Sequence, residues 1–293
     1  MRGFFVVCLS YERASKNMVH SPHMQKLIIA NWKMNPTSVK EAKKLFTDIK
    51  GSVAKVKGVD VVVCPPVVFL SELARERQSV KVALGVQDLS HEDSGAHTGQ
   101  VSASMVAGFK VKWAILGHSE RRALGETNEQ VAEKVKQALA KGIAPILCVG
   151  ESERNDEGAH YVFVHAQLSA VFATLKRKDI EKLTIAYEPV WAIGKSAADA
   201  MQASDLFEMT LYIRKLLIEH SGRKYADPVR ILYGGSVKQD NAAELLREGG
   251  VDGLLVGSAS LDAKGLGAIV EAVADKQQKT SVKVRREGVQ PSA

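Results

Sequence analysis

The chain has 293 residues, of which 45% are hydrophobic and 25% are charged, and its mean hydropathy is −0.08. This composition excludes a disordered chain, and no apolar run approaches the roughly 20 residues that a membrane-spanning helix needs, so we expect no membrane partner. Most of the net charge of +7 lies at the two ends of the chain, because residues 26–275 carry 32 positive and 31 negative side chains. The nearly neutral body of the chain leads us to expect no nucleic-acid partner.

The first 25 residues resemble a signal peptide only in part. Arg2 precedes an apolar run at residues 4–9, but Glu12 and Arg13 follow without a small-residue cleavage site. The chain has three cysteines, and their odd number without metal-ligand spacing indicates a reducing compartment, so we expect a cytoplasmic protein. Residues 1–25, with three positive side chains and one negative, are interpreted as an N-terminal extension that is disordered or precedes the true start.

Eight short, mostly apolar runs follow, and a longer amphipathic stretch separates each from the next. The runs show little polar alternation, which is typical of strands buried on both faces. Two of the intervening stretches, residues 128–141 and 205–220, have apolar residues at three- and four-residue steps and predict helices. The predicted strands are residues 27–31, 59–66, 82–87, 112–118, 144–151, 183–189, 230–235 and 252–257.

Eight strand–helix units in about 250 residues predict an α/β fold of one domain, an eight-stranded parallel (β/α)8 barrel of the TIM-barrel type over residues 26–275. A doubly wound open sheet is the competing fold, since the same alternation would build it, but no GxGxxG follows the first strand. Residues 276–293, with five positive side chains and one negative, are interpreted as a basic disordered tail.

Side chains suited to acid–base chemistry stand directly after three of the predicted strands. Barrel active sites gather at the carboxyl ends of the strands, where Lys33, His118 and Glu188 fall. The seventh and eighth strands end in glycine, which lets the backbone approach an anion, and barrels commonly bind phosphate there. Each feature alone has a structural explanation, such as a buried histidine, a capping glutamate or a solvated lysine. Their coincidence at equivalent positions of the repeat favours acid–base catalysis on a phosphorylated carbonyl compound.

Longer motifs in a fixed order carry a resemblance to a known family. From about residue 26 to residue 274 the sequence resembles the triosephosphate isomerase family. The resemblance implies an aldose–ketose isomerase, an intramolecular oxidoreductase that interconverts dihydroxyacetone phosphate and D-glyceraldehyde 3-phosphate through an enediolate in glycolysis and gluconeogenesis. The motifs are ANWKMN (30–35), GAHTGQVSA (95–103), ILGHSERR (115–122), LCVGE (147–151), AYEPVWAIG (186–194), YGGSV (233–237) and LLVGSASL (254–261).

The resemblance implies a role for each catalytic side chain. Glu188 is the base that removes a proton from one carbon and returns it to the neighbouring carbon. His118 is a neutral hydrogen-bond donor to the carbonyl oxygen, and Lys33 and Asn31 stabilise the negative charge that develops there. Two further carboxylates hold Lys33 and the surrounding network without touching substrate: Glu120 and Glu126.

The resemblance also implies a phosphate site made of backbone N–H groups and a lid that closes over it. Closure of such a lid excludes water from the enediolate. No metal, nucleotide or other cofactor is implied, because side chains supply the proton transfer and the oxyanion stabilisation. The implied phosphate-binding residues are Gly194, Ser236, Gly257 and Ser258, and the lid residues are Pro189, Val190, Trp191, Ala192, Ile193 and Gly194.

Residues 87–99 resemble the family's protruding third loop. The resemblance implies that Thr98 reaches into a partner subunit beside Asn31 and Lys33, and hence that the protein is a homodimer. Gln100 stands where the family commonly has glutamate. Because this removes one charge from the interface, we expect an altered dimer strength.

Two further departures from the family concern the phosphate site. After Gly194 the family usually continues Thr-Gly-Lys, whereas residues 195–199 read KSAAD. We expect a lid that closes but whose tip has a different conformation. Ser258 stands where a second glycine is common, and its N–H can still bind phosphate provided that its backbone needs no positive φ.

Two other functions remain as alternatives. The first is another phosphate-binding barrel, such as a Schiff-base aldolase or a biosynthetic isomerase. An aldolase of this kind needs a lysine inside the barrel on a middle strand, where the sixth strand here offers Glu188. The second is a catalytically silent relative that binds a sugar phosphate or a protein, and the joint presence of four candidate catalytic residues argues against it.

Overall fold

The structure, a computed structural model, describes residues 25–76, 81–155, 157–193 and 201–274. Eight parallel strands close into a barrel in chain order, and β8 pairs with β1. The predicted (β/α)8 barrel is confirmed, and closure excludes the open sheet, which has two edges. Each predicted run matches one strand: β1 (Lys26–Asn31), β2 (Val59–Cys64), β3 (Val82–Val86), β4 (Trp113–Leu116), β5 (Ala144–Val149), β6 (Thr184–Tyr187), β7 (Arg230–Tyr233) and β8 (Gly253–Val256).

Helices cover the outside of the barrel. The two predicted helices are confirmed as α5 and α7, and α5 begins with a capping box in which the side chains of Thr127 and Gln130 each accept from the other's backbone N–H. The described helices are α1 (Val39–Ser52), α2 (Val67–Glu76), α3 (Ala103–Ala107), α4 (Ser119–Ala123), α5 (Asn128–Ala140), α6 (Ala159–Phe172), α7 (Ala203–Ser221), α8 (Arg223–Ala226), α9 (Ala242–Glu248) and α10 (Ala263–Val273), with 3-10 turns at Arg177–Lys182, Val190–Ala192 and Ser258–Leu261.

The core has two layers, because successive residues of a strand point to opposite sides of the sheet. In β1, Leu27 and Ile29 pack inside the barrel, whereas Ile28 and Ala30 pack outwards against the helices. The interior also holds Cys64 and Cys148, both free and fully buried. Burial raises the pKa of both thiols, so they remain neutral and pack as apolar groups. The remaining interior residues include Val62, Ile115, Ile146, Ala186, Leu232 and Leu255.

Closure of the barrel depends on a close approach of β8 to β1. Gly253 pairs with Leu27, and a Cβ at Gly253 would lie 1.9 Å from the Leu27 carbonyl oxygen. We expect Gly253→Ala to lower the free energy of unfolding by roughly 1–3 kcal/mol or more, because the overlap is with backbone that cannot move aside. Gly51→Ala is the control, since Gly51 lies in α1 with open space around its Cβ position and should gain about 0.4–1 kcal/mol. Urea titrations of both variants measure the difference, and equal stabilities would contradict the expectation.

The predictions for the two ends of the chain concern residues that the structure mostly does not describe. Apart from Gln25, the expected N-terminal extension (residues 1–25) and basic tail (residues 276–293) lie outside the described residues. Among the residues that are described, no helix is both long enough and apolar enough to cross a membrane.

Candidate active site

The four candidate catalytic residues meet in one cleft at the carboxyl ends of the strands. Asn31 is the last residue of β1, Lys33 follows shortly after it, His118 follows β4 and Glu188 directly follows β6. The cleft has a volume of about 670 Å³. Residues that follow β7 and β8 complete its lining, among them Gly234, Gly235, Ser236, Gly257 and Ser258.

Glu188 and His118 form a buried pair at the base of this cleft. Glu188 is 2% exposed, and its Oε1 lies 3.3 Å from Nε2 of His118, while its Oε2 accepts a hydrogen bond from the Ser119 N–H at 3.0 Å. Nδ1 of His118 accepts a hydrogen bond from the Glu120 N–H at 3.2 Å. An accepting Nδ1 carries no proton, so this contact favours a neutral imidazole whose proton is on Nε2.

Lys33 is held in a strained backbone conformation. Its φ is +53°, in the left-handed region that costs a residue with a Cβ on the order of 1 kcal/mol, and its N–H donates to Oδ1 of Asn31 at 3.0 Å. The Lys33 ammonium pairs with Oε1 of Glu120 at 2.5 Å. The Gln87 amide donates to the Lys33 carbonyl at 2.8 Å and to the Cys64 carbonyl at 2.9 Å. Gln87 was not among the predicted site residues, although it directly follows β3, and a search of every strand end for polar residues would have found it.

Three of the four expected phosphate-binding residues line the same cleft: Ser236, Gly257 and Ser258. Ser258 begins a 3-10 turn, and the described non-glycine residues with positive φ are Lys33 and Lys110, so Ser258 needs no glycine-like backbone. A Cβ at Gly234 would lie 2.7 Å from Cγ of Glu188, so this glycine makes room for the carboxylate. Gly194 and residues 195–199, on which the expected lid tip depends, lie outside the described residues.

The comparisons with known proteins agree with this geometry. A family model described as triosephosphate isomerase matches residues 26–273. The chain is 44% identical over 251 residues to a triosephosphate isomerase of Carboxydothermus hydrogenoformans, 43% over 255 residues to one of Bacteroides fragilis and 42% over 250 residues to one of Herminiimonas arsenicoxydans. Each alignment covers 85% of this chain and 99% of the relative.

The chain belongs to the triosephosphate isomerase family. Its activity is the interconversion of dihydroxyacetone phosphate and glyceraldehyde 3-phosphate, a step of glycolysis and gluconeogenesis.

The first part of the expected lid of this isomerase is anchored to a buried carboxylate. Glu151, 1% exposed, accepts hydrogen bonds from Oη of Tyr187 at 2.8 Å, from Nε1 of Trp191 at 2.9 Å and from Nε of Arg154 at 3.0 Å. Burial and the Glu151 charge raise the pKa of Tyr187, so its hydroxyl stays protonated and donates. The Arg154 guanidinium also lies 5.4 Å from the centre of the Trp191 ring. The sequence motifs contain Glu151, Tyr187 and Trp191, but the hydrogen bonds from Tyr187 and Trp191 to Glu151 were not predicted.

Glu126, the second expected supporting carboxylate, does not pair with Lys33 but lies in a separate cluster. It accepts a short hydrogen bond from the Lys134 ammonium, which also donates to both carboxylate oxygens of Asp88 at 2.7 and 2.9 Å. Nε of Arg121 lies 3.1 Å from Asp88 and 3.8 Å from Glu126. Burial raises the pKa of Asp88, although Lys134 opposes the shift. No group of three or more His, Cys, Asp or Glu side chains within the described ranges is placed to hold a metal ion.

A second cleft, of about 530 Å³, opens beside the catalytic residues of this isomerase. Its lining includes Lys33 and His118 on one side and Glu126 and Lys134 on the other. Thr98, the expected dimer contact, is exposed in the loop after β3. The substituted position, Gln100, accepts a hydrogen bond from Oγ of Ser90 at 2.5 Å, so its amide ties the loop to itself.

Proposed function

We propose that Glu188 is the base that transfers a proton between the two carbon atoms of the triose phosphate. The observation that supports this most directly is the Glu188–His118 pair, with both side chains buried and 3.3 Å between Oε1 and Nε2. A substrate whose reacting carbon faces Oε1 places its carbonyl oxygen towards His118. The carboxylate takes the proton from one carbon, and the electron pair moves to the carbonyl oxygen to form the enediolate. A proton then passes from the neighbouring hydroxyl oxygen to the former carbonyl oxygen, and the carboxylate returns its proton to the neighbouring carbon. Turnover of glyceraldehyde 3-phosphate by the wild type and by Glu188→Asp, measured together, tests this assignment.

His118, Lys33 and Asn31 stabilise the enediolate oxygen. His118 donates from Nε2, because its Nδ1 is occupied by the Glu120 N–H. The Lys33 ammonium supplies a fixed positive charge. Glu120 pairs with this ammonium and holds it in place, but Glu120 itself does not line the 670 Å³ cleft. Donors that are already in place cost no reorganisation when the charge develops.

The phosphate group lies against the backbone N–H groups of Ser236, Gly257 and Ser258, with Gly194 closing from the lid. Support comes from the lining of the 670 Å³ cleft, which contains the first three of these residues together with the catalytic pair. Residues 189–194 form the lid. Oγ of Ser236 donates to the Ala192 carbonyl at 3.0 Å, which links the phosphate site to the lid. The reaction requires no cofactor in this scheme, since side chains supply every proton and charge.

The active form is a cytoplasmic homodimer. Its support is the open 530 Å³ cleft beside Lys33, which the loop carrying Thr98 in a second copy would fill. Leu124, which lines this cleft, is 78% exposed, and Met34, which follows Lys33 in the chain, is 90% exposed, so a partner that buries these apolar side chains would be favoured. The free cysteines support a reducing compartment.

We infer that the conformation in which Trp191 donates a hydrogen bond to Glu151 is the one that binds the phosphorylated substrate. We expect Trp191→Phe to weaken binding of a phosphorylated enediolate analogue about ten- to a hundredfold, because a hydrogen bond to a charged group contributes about 1.5–3 kcal/mol. Isothermal titration calorimetry measures the affinity. Tyr187→Phe is the matched control, because Tyr187 donates to the same carboxylate from a strand outside the lid and should change stability but not analogue affinity. Unchanged affinity in Trp191→Phe would contradict a role in closure.

A further inference from the structure

Helix α6 presents an apolar outer face that the described part of the barrel leaves uncovered. No residue of Ala159–Phe172 is Asp, Glu, Lys or Arg. Val162 is 71% exposed and Phe163 is 48% exposed, and Ala166 is exposed one turn later. Single exposed apolar residues are ordinary, but a continuous uncharged face on an outer helix is typical of an interface.

The shape of this face is complementary to itself. Its N-terminal half protrudes through Val162 and Phe163, whereas its C-terminal half borders a hollow of about 380 Å³ between α6 and α7. Phe172 and Ala173 line the hollow from the α6 side and Leu216 lines it from α7, and the polar side chains of Ser169, His165, Glu219 and His220 complete its lining. Two α6 helices packed antiparallel about a two-fold axis would place the protrusion of each copy against the hollow of the other. The offset between Phe163 and Phe172 is roughly 14 Å at 1.5 Å per residue, within the length of one helix.

The charges at the two ends of α6 favour the same arrangement. Exposed Glu153 and Glu157 precede the helix, and exposed Lys176, Arg177 and Lys178 follow it. In an antiparallel pair the acidic end of one helix faces the basic end of the other. These charges also suit the dipole of a single helix, so the inference rests on charge and shape together.

We propose that α6 is a homotypic contact through which two copies of the proposed homodimer associate into a four-chain assembly. The contact is independent of catalysis, because no residue of α6 lines the 670 Å³ or the 530 Å³ cleft. The inference rests on the proposed homodimer in one respect only: if the unit that associates is a dimer, two units joined through α6 give four chains.

Sedimentation velocity on the full chain over a range of concentrations tests the proposal. We expect the wild type to form a four-chain species and Val162→Glu to weaken its formation at least about tenfold, because each of the two symmetry-related carboxylates would be buried beside Glu219, a like charge that lines the hollow. The kcat of Val162→Glu should stay at the wild-type value. Val39→Glu is the matched control, since Val39 is an exposed valine on α1, and this variant should keep the four-chain species.

A charge reversal tests the antiparallel geometry. Glu157→Arg and Arg177→Glu should each weaken the four-chain species, because each places like charges together. The variant carrying both changes should recover it. Failure to recover would overturn the antiparallel arrangement.

The remaining outcomes separate the other possible occupants. A wild type and a Val162→Glu variant that both contain two chains at every concentration would overturn the proposal. If the wild type contained two chains but a variant carrying both Phe4→Ser and Phe5→Ser formed larger assemblies, the apolar run at residues 4–9 would be the segment that covers the outer face of α6. A two-chain wild type that falls to one chain in Val162→Glu would keep the α6 contact and overturn the homodimer formed through the loop that carries Thr98.

Discussion

Replacing Glu188 by aspartate is expected to lower kcat for glyceraldehyde 3-phosphate about 10²-fold with the fold unchanged. The substitution keeps the carboxylate but withdraws it by about one ångström, the scale of displacement that costs this much when reacting atoms must be aligned. In the wild type, Oε2 accepts a hydrogen bond from the Ser119 N–H at 3.0 Å, whereas Oε1 accepts none from the described residues and lies 3.3 Å from Nε2 of His118. A side chain shorter by one methylene cannot keep the first contact and reach the substrate carbon as well.

A steady-state assay of the wild type, Glu188→Asp and the control variant Glu244→Asp measures the effect. Glu244 is a suitable control because it is an exposed glutamate on α9, does not line the 670 Å³ cleft, and loses the same methylene. Its kcat should equal that of the wild type. A Glu188→Asp variant with wild-type kcat would remove Glu188 from the role of base.

Replacing His118 by glutamine is expected to lower kcat about 10²- to 10³-fold, the typical effect of losing one preorganised donor to a developing oxyanion. The imidazole is aimed by the Glu120 N–H at Nδ1, which leaves Nε2 as the donor beside Glu188. A glutamine amide has more rotatable bonds and no comparable tie, so its N–H is not held where the charge develops. The loss should fall on kcat and leave KM nearly unchanged, because the hydrogen bond strengthens mainly in the transition state.

The affinity for an enediolate analogue separates this role from a structural one. We expect His118→Gln to bind the analogue more weakly by a factor close to its loss in kcat/KM, with the thermal midpoint near that of the wild type. A variant that unfolds at much lower temperature and binds substrate and analogue equally poorly would indicate a structural histidine.

Several features of the site were predictable because they depend on local sequence. The strand ends follow from where each apolar run stops, and the barrel brings all carboxyl ends to one face. Asn31, Lys33, His118 and Glu188 therefore could be placed in one cleft before the fold was known, as could the glycine-rich ends of β7 and β8.

Other features were not predictable because they join residues that no local rule relates. Gln87 holds the Lys33 carbonyl, and Trp191 donates to Glu151, across barrel strands whose side-chain rotamers depend on packing. Glu126 shows the limit of family resemblance, since the pattern suggests a neighbour of Lys33 and the fold pairs it with Lys134.

The architecture and the class of reaction were predictable from the covalent chain, because the spacing of its apolar runs and the order of the polar residues after them do not depend on folding. The hydrogen bonds and distances within the site depend on the tertiary structure. The fold places the Glu120 N–H against Nδ1 of His118, sets Oε1 of Glu188 3.3 Å from Nε2, and pairs the Lys33 ammonium with Glu120. Those are distances between groups far apart in the chain, and only the closing of β8 onto β1 and the packing of side chains around the cleft determine them.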